Sequence, residues 1–147
     1  MNPLAWPPVW LAVALASAWA ADRLVGLDLF GAAGLWTGRG LVVLGLALML
    51  WAAVTMQAAR TTVIPGRQPA ALVTSGPFRL SRNPIYLGDL LVLAGMILIW
   101  DAPVALPLVP VLGAILAQRF IGPEEDRLRA AFGPAFDAWA GRVRRWL

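Results

Sequence analysis

From Leu41 to Ala59 the chain carries no charged side chain, and Arg60 closes the run. Nineteen helical residues rise about 28 Å, close to the roughly 30 Å of a bilayer's hydrocarbon core. A segment in lipid must satisfy its backbone internally, so this run predicts a spanning helix. Three further apolar runs flank it. The first opens at Pro7-Pro8, extends to about Ala21 and ends at Asp22 and Arg23; without a basic stretch ahead of it, it reads as a retained span rather than a cleaved signal. The third covers Ile85–Trp100, and the fourth, Val104–Ile121, carries Pro107 and Pro110, which predict a kink. Asp101-Ala102-Pro103 joins these two as a hairpin, and Gly26–Gly40 reads as a glycine-rich connection with Phe30 and Trp36 at the interface. The chain is 60% hydrophobic and 14% charged, which places it among integral membrane proteins. The expected fold is all-α and polytopic, with about four transmembrane helices and a C-terminal amphipathic helical segment. It reads as one membrane domain over 1–147. Residues 1–60 supply two N-terminal spans, and 61–147 a connector, a helical hairpin and a C-terminal cap.

The charges set an orientation and exclude several chemistries. All 12 basic residues are arginine and the net charge is +4. Ten arginines fall on the side of the Arg60–Arg82 connection and the C-terminal tail, leaving Arg23 and Arg39 on the other. By the positive-inside rule both termini and the connection lie in the cytoplasm of a bacterial-type inner membrane. Arginines at membrane edges suit anionic headgroups better than nucleic acid. The chain has no Cys and no His. Disulfides, thiolate nucleophiles, imidazole bases and the usual zinc or haem ligands are excluded together, and no metal is expected.

The polar residues concentrate in Leu72–Gly88, LVTSGPFRLSRNPIYLG, which holds Thr74, Ser75, Arg79, Arg82, Asn83 and Tyr86, with Asp89 just beyond. Charged groups at a membrane boundary are costly and usually functional. Gly76-Pro77 is a turn signal. Asn83-Pro84 reads as a helix start, with Asn83 capping backbone N–H groups and Pro84 at the first helical position. Such a helix end beside arginines is an anion site; the alternative is that the arginines only mark the cytoplasmic edge. Pro65, Pro69 and Gly66 preclude a continuous helix over Thr61–Ser81, whose length suits a functional or disordered loop, and apolar Ala70–Val73 should pack. After Gly122 the composition changes. Pro123-Glu124-Glu125-Asp126 reads as a new helix start with its acids in the first turn, or simply as a solvated one. Leu128 with Phe132, then Phe136, Trp139 and Val143, give apolar stripes best read as packing. Arg142, Arg144, Arg145 and Trp146 suggest an interfacial tail with its arginines at headgroups. Arg82, Tyr86 and Asp89 share one helical face, so Asp89 neutralises Arg82, helps deprotonate an acceptor, or makes a structural hydrogen bond.

LVTSGPFRLSRNPIYLG, followed about 36 residues later by EEDRLRAAFGPAFDAWAGRVRR, resembles the C-terminal core of the isoprenylcysteine carboxyl methyltransferase family and its phospholipid methyltransferase relatives. The resemblance covers roughly Thr61–Leu147. It implies S-adenosyl-L-methionine as cofactor, bound at the cytoplasmic face, and a lipophilic acceptor arriving from the membrane lipids. Carried onto this chain, the cofactor contacts are Leu72, Val73, Phe78, Asn83, Pro84, Ile85, Tyr86 and Glu124. Glu124 would pair with the α-ammonium, Arg82 and the adjacent helix start with the α-carboxylate, and Leu72, Val73 and Phe78 with adenine. Arg82, Glu125 and Asp89 are the catalytic candidates. Two positions depart from the family. Its histidine is Asn83 here, and its substrate-contacting arginine has Arg119 as the nearest counterpart. Two other classes compete. Tyr86-Leu87-Gly88-Asp89 is similar to a run in the sterol reductases, which implies NAD(P)H, and a non-enzymatic membrane adaptor with a degenerate cofactor site would keep the same spans.

Overall fold

The structure is a computed structural model that describes residues 6–61 and 70–147. The expectation for the stretch holding Pro65, Gly66 and Pro69 lies outside the described residues. Six helices, with short 3-10 and π turns between them, form the described chain, and no strand occurs among those residues. Helix α1, Pro7–Val25, starts on two prolines and ends at Gly26, whose φ of 56° closes the helix by an N–H bond to the Asp22 carbonyl. It runs past Ala21 because Asp22 and Arg23 fit its last turn. The Arg23 guanidinium lies 5.3 Å from the Trp19 ring, an arrangement in which a cation near the C-terminal end is favourable.

Helix α2, Gly31–Ala58, is 28 residues long. Its first third is the stretch that reads as a connection. The correction comes from packing. Gly34, Gly38 and Gly45 are buried on α2, against α3, Pro84–Ile99. A methyl on Gly38 would stand 2.5 Å from the Gly95 carbonyl oxygen, and one on Gly45 2.8 Å from that of Gly88. Glycine costs about 1 kcal/mol in a helix interior, but in lipid small residues let backbones meet where no apolar driving force separates protein from solvent. The glycines are therefore a helix–helix seam rather than a linker.

The far end of this seam is tied down by Asp101. Its carboxylate accepts the N–H groups of Leu29 at 2.8 Å, Phe30 at 2.7 Å and Gly31 at 2.9 Å, so the α3–α4 turn caps α2. These three donors hold the Asp101 carboxyl below the usual aspartate range, the Phe30 bond first. A carboxyl depressed on folding adds stability above its unfolded value of about 3.9, and that stability is lost as pH falls through the folded value. Asp101→Asn should lower the thermal midpoint at pH 7, with the gap to wild type closing as the pH drops below about 4. A gap that stays constant down to pH 3 would assign the effect to packing instead of charge.

Helix α4, Leu108–Leu116, continues through a π turn at Ala117–Ile121 into α5, Gly122–Phe132. With the 3-10 turn at Pro103–Ala105, the helical run from Pro103 to Phe132 covers 30 residues. Two expectations are corrected here. Pro107 is the N-cap of α4 and Pro110 sits in its first turn, where no N–H is needed, so they start the helix instead of kinking its middle. Gly122-Pro123 does not begin a separate helix. Pro123 cannot donate four residues back; the preceding residues widen to a π turn, in which the Gly122 N–H reaches the Ala117 carbonyl, and the helix carries on. Gly133, with φ of 50°, then turns the chain into α6, Pro134–Ala140.

Leu93, Ile97, Leu112, Leu116 and Ile121 form the main core between α3 and α4, with Ala14 and Ala18 of α1 against it. A second, smaller core gathers Ala52, Val73, Phe78, Phe136 and Trp139. Outward-facing Val43, Leu46, Leu50 and Val54 of α2 are exposed, as lipid-facing side chains must be. Three helical segments are long and apolar enough to cross a membrane, Pro7–Val25, Gly31–Ala58 and Pro103–Phe132, and the shorter Pro84–Ile99 is the fourth apolar helix. The chain is thus an all-helical polytopic membrane protein. The tail after Ala140 leaves helical geometry and folds back: the Arg82 N–H donates to the Arg144 carbonyl at 2.9 Å. It docks on the connector and does not simply lie along an interface.

Candidate active site

At the end opposite Asp101, the start of α1, the end of α2, the connector, the start of α3 and α5 enclose a cavity of about 320 Å³. That is the lower end of the range for small-molecule sites. Its apolar wall comes from Leu72, Val73, Phe78, Pro84 and Ile85. Phe78 is fixed by its own 3-10 turn, Gly76–Arg79, and by the Trp139 indole N–H, which donates to the Phe78 carbonyl at 3.1 Å. Phe136 lies edge-on to Trp139, centroids 5.8 Å apart, and is fully buried, which agrees with the packing role read from the apolar stripe.

The start of α3 is organised by the tail. Ser81 Oγ accepts the Asn83 N–H at 3.1 Å and donates to the Arg145 carbonyl at 3.3 Å. The Asn83 side-chain amide donates to the same carbonyl at 3.0 Å. Asn83 therefore does not cap α3 with its side chain, a correction whose cause is the competing tail carbonyl. The first N–H groups of a helix have no acceptor within it. Here Ile85 and Tyr86 supply them and line the cavity.

Arg82 and Glu125 meet in an ion pair, Nη1 to Oε1 at 3.2 Å. Arg145 forks onto the same carboxylate, Nη2 to Oε2 at 2.6 Å and Nε to Oε1 at 3.3 Å. The Glu125 bonds push the Arg145 guanidinium above its usual range. The Arg82 Nε is buried and has no hydrogen-bond partner among the described residues. Asp89 is 4% exposed, lines the same cavity and makes no hydrogen bond or ion pair to any described residue. It makes no ion pair with Arg82; Glu125 does. The Tyr86 hydroxyl donates to Glu124 Oε2 at 3.3 Å.

All eight residues read as cofactor contacts line this cavity, as do Arg82, Glu125 and Asp89. Arg119 does not. It is exposed on the π turn, its guanidinium 5.0 Å from the Trp10 ring, so the expected substrate arginine is turned away from the cavity. Arg127 lines it instead. Its position three residues after Glu124, with Leu128 four after, marks the shared helical face and was the available signal. Met49 and Met56 of α2 and Trp6, Pro7 and Pro8 also line it; nothing in the motif region points to them.

The donor set suits a zwitterionic, partly aromatic ligand. Glu124 and Asp89 bring carboxylates to the lining, the Arg82 and Arg127 guanidiniums and a helix start can take an anion, and most of the remaining wall is apolar. Gly88, the third residue of the reductase-like run, is occupied in packing against Gly45. The family model for phospholipid methyltransferases matches residues 33–135. No curated protein and no solved structure matches the chain.

Proposed function

The chain belongs to the phospholipid methyltransferase family, and from that premise we propose that it is an S-adenosyl-L-methionine-dependent methyltransferase acting on a lipid or small hydrophobic acceptor at the cytoplasmic face of the inner membrane. The observation that carries this reading is the coexistence, in the lining of one largely apolar cavity, of the Arg82 guanidinium and the Tyr86-bonded carboxylate of Glu124. An amino-acid zwitterion needs both, one for each end.

When bound, the cofactor supplies a methyl group already activated on a sulfonium. The protein's work is then positioning. Glu124 pairs with an ammonium. The Arg82 guanidinium and the N–H groups at the start of α3 take a carboxylate. Leu72, Val73 and Phe78 flank an aromatic ring, while Asn83 and Pro84 set where α3 begins. Glu125 is fully engaged by two arginines, so Asp89, whose carboxylate oxygens have no partner among the described residues, is the better-placed acceptor for a proton leaving the substrate. Met49 and Met56 bring the lipid-facing helix α2 to the cavity, which supports an acceptor arriving from the bilayer.

Calorimetry on the purified protein, with S-adenosyl-L-methionine and NADPH as alternative ligands, tests the reading together with transfer of a labelled methyl into a lipid extract. Binding of the first ligand alone, with label in the lipid fraction, is expected. Binding of NADPH would turn the assignment to a reductase, and binding of neither to a membrane adaptor.

A further inference from the structure

Glu125 carries one negative charge between two guanidiniums, and the two do not share it equally. Arg145 holds both carboxylate oxygens, with the shortest contact at 2.6 Å, whereas Arg82 reaches one oxygen through one terminal nitrogen at 3.2 Å. A fork of this kind satisfies a carboxylate by itself. The cluster keeps one unit of positive charge, and Arg82 is the member left short of partners: its side chain lines the cavity, and its buried Nε has no hydrogen-bond partner among the described residues. The same tail also grips the connector through its backbone, the Arg144 carbonyl on the Arg82 N–H and the Arg145 carbonyl on Asn83. Arg145 itself is not among the cavity's lining residues.

We propose that Arg145 is a positioning residue for anion recognition: by saturating Glu125 from the C-terminal tail, it leaves the Arg82 guanidinium free to bind the carboxylate of a ligand in the cavity. Without Arg145, Glu125 turns to Arg82 as its only cation, and the two arms of that guanidinium close on the protein's own carboxylate. The site then loses its preference for a carboxylate-bearing ligand while keeping its shape and its apolar wall. The inference rests on the methyltransferase reading of the cavity and deepens it, because it assigns the specificity for the ligand's acidic end to a residue outside the cavity.

The test is a binding comparison on the full-length protein in detergent, with S-adenosyl-L-methionine and its decarboxylated analogue as probes. Wild type should prefer the carboxylated ligand. Arg145→Gln should bring the two affinities together, about tenfold or more off the first and little off the second. Arg145→Lys, which keeps a cation on Glu125, should restore part of the preference. Glu125→Gln with Arg145→Gln, which removes the competing carboxylate as well, should restore it too. An Arg145→Gln variant that weakens both ligands equally would make the residue a plain structural contact and overturn the proposal. Wild type that binds neither ligand would overturn the methyltransferase reading and this inference with it. Wild type that binds both without preference would overturn the inference alone.

Discussion

An Arg82→Lys variant is expected to lose methyl transfer to a lipid extract by about tenfold or more while remaining monodisperse and helical in detergent. The argument is geometric. Arg82 uses a terminal nitrogen for Glu125 at 3.2 Å and its backbone N–H for the Arg144 carbonyl at 2.9 Å. Its Nε is left over, buried without a partner among the described residues, and the side chain lines the cavity. Lysine reproduces the backbone bond and the charge, so the fold and the tail contact survive. It has no second nitrogen part-way along the chain, so one ammonium must choose between Glu125 and a ligand. A hydrogen bond to a charged group is worth roughly 1.5–3 kcal/mol, and about 1.4 kcal/mol is tenfold. The companion variant is Asn83→His, which restores the family's residue. What Asn83 contributes here is a donor to the Arg145 carbonyl at 3.0 Å, and an imidazole N–H supplies one. It should stay active. An active Arg82→Lys beside an inactive Asn83→His would reverse both assignments.

The four apolar runs were legible because lipid imposes a length and forbids charge, two constraints that act on composition alone. Helix boundaries were less so wherever glycine or proline played an unusual part. Gly34 and Gly38 read as a linker because glycine is a poor helix former in water; their close approach to α3 is a tertiary fact, visible only once Leu98 and Gly95 are seen opposite. Pro107 and Pro110 read as a kink and Pro123 as a fresh helix start, yet Pro107 is the N-cap of α4, Pro110 falls in its first turn, and Pro123 is absorbed by a π turn. The cavity residues of the connector were legible from motif order. Arg119 falls outside the cavity because it sits on the π turn, which its sequence distance from Glu124 does not reveal and which leaves it beside Trp10. The tail was the least legible part. Its arginines carry the composition of an interfacial segment, and nothing in that composition distinguishes Arg145, paired with Glu125 twenty positions earlier, from exposed Arg142.

The acid cluster offers the other large effect. Had Glu124 opened a new helix, its charge could have served the helix dipole alone. The helix instead continues from Leu108 through the π turn to Phe132, so there is no free helix end at Glu124 for a carboxylate to complement, and that explanation weakens. What remains is a half-buried carboxylate lining the cavity with the Tyr86 hydroxyl on one oxygen at 3.3 Å. Glu124→Gln keeps the side chain's size and, through the amide oxygen, an acceptor for Tyr86. It removes only the charge. Affinity for S-adenosyl-L-methionine should fall about tenfold or more, since the lost bond is charge-assisted and shielded from water. Affinity for an analogue lacking the α-amino group should hardly change, because that ligand has no ammonium to pair. Calorimetry on the same two ligands reads both numbers. Equal losses would point to a collapsed cavity, and an unchanged affinity for the cofactor itself would return Glu124 to an ordinary residue of the helix.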